Sequence, residues 1–107
     1  MAFQTVDYVD PNVLADISDR QCFQQLAVLG KVSTDEALAA VTVGALPKVV
    51  TDGIAQLPAE MQFPARMLLC GATSFHRAHP MVPVFFGFVG ITAPADIDGF
   101  WRAAALL

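Results

Sequence analysis

The hydrophobic and polar positions of this chain fall into a series of short helical periods, most of them with a recognisable start and stop. Ser18 with Gln21, and Ser33 with Glu36, each fit a capping box, in which the hydroxyl and the later side chain both satisfy a backbone N–H at the helix entrance. After the first box, Cys22, Phe23, Leu26, Ala27 and Leu29 form an apolar stripe with Gln21, Gln24 and Gln25 outside it, and Gly30 supplies the left-handed residue that ends the helix. After the second, Thr34, Asp35 and Glu36 suit the positive end of the helix dipole, and Ala37, Leu38, Ala40 and Val41 face inward as far as Gly44. Pro47 opens a third helix through Leu57 with Val50, Ile54 and Leu57 on one face. Gly53 inside it costs about 1 kcal/mol relative to alanine.

The longest helical pattern occupies residues 63–81, between the pairs Phe63-Pro64 and His79-Pro80. At a period of 3.6, Leu68, Leu69, Ala72, Phe75, His76 and His79 share one side, whereas Arg66, Cys70, Thr73 and Arg77 share the other. The preceding segment QLPAEMQF reads as helix up to Phe63, so Pro64 either kinks that helix or begins a new one. Residues 81–91, MVPVFFGFVGI, are apolar throughout; their β-branched and aromatic content suits a buried strand, and their helical surroundings favour a helix. Phe85, Phe86 and Phe88 cannot all face one way, which makes them candidates for an interface. Thr92 is a suitable N-cap with Pro94 in the first turn, and Ile97, Phe100, Trp101 and Ala104 form the last stripe, where Asp98 and Arg102 are spaced to pair. At the other end, residues 1–10 show no helical period and suit an extended arm, and Asp10-Pro11 starts a short helix to about Ile17. The sum is an all-α chain: an arm at 1–10, then a single compact domain of about five helices over 11–107.

Composition adds a reason to expect partners. Of 107 residues 55% are hydrophobic and 15% charged, with mean hydropathy +0.54; soluble domains carry about 25% charged residues, and a small one needs more polar cover than most. A membrane span does not absorb the surplus. The uncharged run 80–95 is broken by Pro83, Gly87, Gly90 and Pro94 and falls short of the ~20 residues a spanning helix needs. No basic segment follows Met1, so no secretion signal is expected. Self-association or docking on a larger assembly remains, and the ending Leu106-Leu107, without a polar tail, joins the candidate interface.

The formal charge is −4 and uneven: residues 1–53 set Asp7, Asp10, Asp16, Asp19, Asp35, Glu36 and Asp52 against Arg20, Lys31 and Lys48. No Lys/Arg cluster is present to neutralise phosphates, so nucleic acid is not expected as a partner. The acidic half suits a solvated face or a basic protein surface. Cys22 and Cys70, far apart, read as reduced, buried thiols.

Candidate chemistry is sparse. His76 and His79 are spaced i, i+3, but a zinc site needs three or four protein ligands and Cys70 falls on the opposite side of the helix pattern. Both rings fit better as caps at a helix C-terminus. Gly71-Ala72-Thr73-Ser74 lacks the strand–turn–helix setting of a nucleophile elbow, and Asp96 and Asp98 fit a helix entrance. The reading assigns no catalytic, cofactor-binding or metal residues. Its candidate interface is Phe85, Phe86, Phe88, the outer arginines Arg66 and Arg77, and Leu106 and Leu107.

A set of residues carries a likeness: Gln62-Phe63, Ala65-Arg66-Met67, Gly71-Ala72-Thr73, Phe75, Arg77, His79-Pro80-Met81, and late in the chain Ile97-Asp98, Phe100-Trp101-Arg102-Ala103. Over about half its length the chain resembles small proteins encoded beside tail-fibre and baseplate genes of tailed phages and prophages. The resemblance implies a small virion or tail-assembly component without enzymatic activity, located in the virion or the host cytoplasm and partnered by itself or by other assembly proteins. A different expectation from the charge distribution is a small acidic adaptor or inhibitor of a host protein.

Overall fold

A computed structural model gives the fold and describes residues 14–107. The expected arm at 1–10, and the first residues of the short helix expected from Asp10, lie outside that range. Among the described residues are six helices and one two-stranded sheet: β1 (Ile17–Ser18), α1 (Asp19–Val28), α2 (Thr34–Val43), α3 (Lys48–Ala55), α4 (Ala59–Gly71), β2 (Ser74–Phe75), α5 (Met81–Phe88) and α6 (Pro94–Ala105). The described residues are all-α apart from that short ladder.

Both capping boxes form. The Gln21 N–H donates to Ser18 Oγ at 3.0 Å while the Ser18 N–H donates to Gln21 Oε1 at 2.8 Å. The Ser33–Glu36 box closes with both distances at 3.0 Å. Helix α1 ends with Gly30 at φ 72° and α2 with Gly44 at φ 71°, a left-handed backbone that side chains with a Cβ disfavour. Pro47 stands just before α3 as its N-cap, and Lys48 is the first helical residue.

Local pattern and structure part company around the sheet. Ile17 pairs with Phe75 and Ser18 with Ser74 in an antiparallel register. The helix expected to run to about Ile17 is therefore not formed at residues 14–17. The carbonyl of Ala15 instead accepts from Trp101 Nε1 at 3.0 Å, which draws this segment onto α6. The same pairing ends the long helix expected over 63–81 at Gly71: the Thr73 carbonyl accepts from the Asp19 N–H at 3.1 Å, and Ser74–Phe75 become extended. Upstream, α4 starts at Ala59 and passes through Pro64 unbroken. The proline leaves the Glu60 carbonyl without an intrahelical donor, a loss tolerated because this side of the helix faces water.

Residues 81–88 are helical, as their surroundings favour. Helix α6 starts one residue later than the expected Thr92 cap: Ala93 is the N-cap, without a side-chain bond, and Pro94 is the first helical residue. Its stripe of Ile97, Phe100, Trp101 and Ala104 is wholly buried. One core cluster joins Ile17 and all six helices, with Phe23, Phe85, Phe86, Phe100 and Trp101 as its aromatic centre. Phe86 meets Phe100 edge-on at a centroid distance of 4.8 Å and Phe85 at 5.3 Å, arrangements that suit the ring quadrupoles. Two expected positions turn around: Leu38 on α2 is 61% exposed, and Gln25 on α1 is buried. Among the described residues no single helix is long and apolar enough to cross a membrane.

Candidate functional site

Helix α4 is held to the body by little of its surface. Only Ala65 and Leu69 are buried. On the opposite side Ala59, Phe63, Met67 and Cys70, spaced i, i+4, i+8 and i+11, form an exposed row along the helix. Phe63 is 68% and Met67 58% exposed; Met61 and Leu68 are also open, but on the side of the helix nearer Ala65 and Leu69. Scattered single apolar residues on a surface are ordinary, but a row of large ones on one helix marks contact with something else. The thioether side chains suit such a surface because they adapt to varied shapes.

The predicted interface residues divide. Phe85 and Phe86 are core residues, 4% and 1% exposed, and this corrects their assignment to an interface. Phe88 is half-buried against the core, lying over Gly53 so closely that a Cβ built there would come within 2.3 Å of its ring. Phe88 packs on the glycine of α3, while Phe85 and Phe86 turn into the core against Phe23, Phe100 and Trp101. Arg66 stays exposed on α4. Arg77 is engaged within the chain: its Nε donates to Asp98 Oδ1 at 2.7 Å and its NH2 group to the Pro94 carbonyl at 3.3 Å. That pairing replaces the expected Asp98–Arg102 contact. Leu106 is 88% exposed and Leu107 also open, beside the start of α1, where Arg20 donates to the Leu107 carbonyl at 3.1 Å.

Phe63 and Met67 were not among the residues assigned to the interface from the sequence. Their signal is nonetheless present, since both follow the three-and-four spacing of Cys70 on the side already assigned to Arg66.

The two histidines flank a different feature. A small apolar cleft of about 60 Å³ lies between the C-terminal end of α4, β2 and the start of α5. Leu69, Phe75, Val82, Phe85 and Trp101 are among its walls, and Ser74, His76 and His79 also line it. Neither histidine caps a helix C-terminus. His76 Nδ1 is 2.8 Å from Asp16 Oδ1, bridging the residues that flank the two strands. His79 Nδ1 accepts from the Met81 N–H at 3.0 Å and so caps the N-terminus of α5.

Among the described residues, the Ser74 hydroxyl has no hydrogen bond to either ring, so the nucleophile–base contact of a hydrolase is not made. Among the described residues, no three His, Cys, Asp or Glu side chains converge there as a metal site needs. Both cysteines are free. Burial, with the charge of Asp19 adding to it, pushes the Cys22 thiol far above its ordinary range, which leaves it a packing group. Cys70, expected to be buried, is exposed on α4. No family model, no curated protein and no solved structure matches this chain.

Proposed function

We propose that this chain is a non-enzymatic assembly protein that acts through apolar contacts with protein, with the exposed row of α4 as its principal contact face. The observation that carries the reading is that Phe63 and Met67 stand open to water on a helix that buries only Ala65 and Leu69. A hydrophobic composition supports it, because the interior takes in Phe85 and Phe86 and half-covers Phe88, and apolar surface is still left over. Self-association, or docking on other components of an assembly, is the use of that surface. A virion or tail-associated subunit, in the particle or the host cytoplasm, is the setting that the resemblance over residues 62–81 and 97–103 implies.

The acidic-adaptor alternative has less support. Asp16 faces His76, Asp52 pairs with Lys48 at 2.6 Å, and Glu36 is committed to a helix cap, so much of the acidic half has local work.

Sedimentation of the purified chain over a wide concentration range tests the proposal. The wild type should show a mass that rises above the monomer with concentration, and Phe63→Asp/Met67→Asp should remain monomeric with an unchanged helical spectrum. Identical sedimentation of the two proteins, monomeric throughout, would remove α4 as a self-contact.

A further inference from the structure

We propose that His79 is an acid-sensitive latch on the first turn of α5, holding the helix entrance closed while its ring is neutral and releasing it when the ring takes up a proton. The inference does not rest on the contact face of α4 and can fail separately.

The sequence at the start of α5 concentrates its capping on one residue. The first N–H groups of a helix have no partner inside it. Pro80 precedes α5 and brings no capping side chain, and of the first three helical residues, Met81, Val82 and Pro83, the proline has no N–H. Both remaining donors end on His79: the Met81 N–H on the ring Nδ1 at 3.0 Å, and the Val82 N–H on the backbone carbonyl at 2.9 Å. A backbone N–H can only donate, so the Nδ1 that receives it carries a lone pair and the ring is neutral. Helices α1 and α2 are capped differently, by the hydroxyls of Ser18 and Ser33, which accept at any ordinary pH.

Protonation reverses the contact. A proton on Nδ1 sets two donors face to face, and the imidazolium charge then stands at the positive end of the helix dipole, where a cation is unfavourable. Histidine is the side chain that changes charge between about pH 5 and 8. The surroundings direct the effect to α5. Among the described residues, the other titratable groups at the cleft are His76 and Cys22, and burial keeps the Cys22 thiol uncharged. His76 contacts Asp16, just before β1, and that contact gains from a charge on the ring. Arg77, in the same turn, is tied to Asp98 and to the Pro94 carbonyl of α6. Helix α4 brings Leu68, Leu69 and Ala72 to the cleft, and no charge. Acid therefore leaves the β2 end of the turn pinned to its neighbours and frees the α5 end, where Met81 and Val82 form part of the cleft wall.

The test follows amide hydrogen exchange of the full chain by NMR, corrected for the intrinsic pH dependence of exchange. Between about pH 7.5 and about pH 5.5, protection of the Met81 amide should fall about fivefold relative to amides inside α1 and α6, the loss of one helix cap. Imidazole nitrogen spectra at the upper pH should place the His79 proton on Nε2. His79→Asn supplies a side-chain oxygen that accepts without titrating, and it should remove the pH dependence at Met81. His76→Asn should leave that dependence in place. Equal protection of Met81 at the two pH values in the wild type, a neutral His79 ring protonated on Nδ1, or the same fall in His79→Asn would each overturn the latch. So would loss of the dependence in His76→Asn, which would assign the titration to the β2 end of the turn.

Discussion

Both carboxylate oxygens of Glu36 accept from helix entrances. Oε1 takes the Ser33 N–H that completes the α2 capping box, and Oε2 takes the Lys48 N–H at 2.9 Å, at the head of α3, where Pro47 brings no capping side chain. One side chain thus fixes the angle at which two helices meet. Those backbone donors, Ser33 first and Lys48 second, hold the Glu36 carboxyl below its ordinary range. The sign follows: a depressed folded-state value contributes stability that is present above the unfolded-state value and is lost as pH falls through the folded one. Glu36→Gln keeps one acceptor oxygen and loses the second. At neutral pH it should cost about 1 kcal/mol, the scale of a helix cap, and the gap from the wild type should close as the pH drops below the glutamate range. Urea unfolding at a series of pH values checks this, and a gap independent of pH would show that the second oxygen does no capping.

Helix α3 shows how an element can look poor by itself and be right in place. Gly53 lowers its intrinsic helicity, yet the Phe88 side chain occupies the space that a Cβ would need, at 2.3 Å for the ring atoms Cγ and Cδ1 and 2.9 Å for its own Cβ. Gly53→Ala gains about 1 kcal/mol of propensity and meets overpacking against atoms close to the α5 backbone, which costs about 1–3 kcal/mol. The variant should therefore be no more stable than the wild type and most plainly less so. Phe88→Ala removes the ring, so the same glycine substitution should cost less, or gain, in that background. A double-mutant cycle by chemical denaturation measures the coupling; a stabilising Gly53→Ala in the wild type would contradict the close approach. Such contacts explain what the sequence concealed. The two capping boxes and the α6 stripe were legible because their partners lie within a turn or two, whereas the place of Phe88 depends on a glycine more than thirty positions earlier, and Phe85 and Phe86 pack on Phe23, Phe100 and Trp101 of distant helices.

At the scale of the whole molecule, α6 ties the two ends of the described chain together. Arg77 grips its start through Asp98, Arg20 and Gln21 reach the carbonyls of Leu107 and Ala105 at its end, and Trp101 in the middle bonds Ala15. The apolar stripe of this helix could be read from its period, but the polar partners could not. Asp16 and His76, the residues flanking the two strands, lie 60 positions apart, and no local pattern announces that Gly71-Ala72-Thr73-Ser74 will leave the helix to meet β1. A two-residue ladder is too short to stand alone, so its order should depend on neighbours such as the Trp101–Ala15 bond. Trp101→Phe tests that dependence. It keeps an aromatic ring in the core, removes the indole N–H, and leaves the Ala15 carbonyl without that donor. The expected loss is about 2 kcal/mol, from an unsatisfied carbonyl together with the volume of the second ring. Hydrogen exchange shows where the loss falls: the amides around Ile17, Ser18 and Phe75 should lose protection more than those inside α1 and α2. Uniform loss across all helices would mean that Trp101 contributes packing alone, and that β1 and β2 hold their register without it.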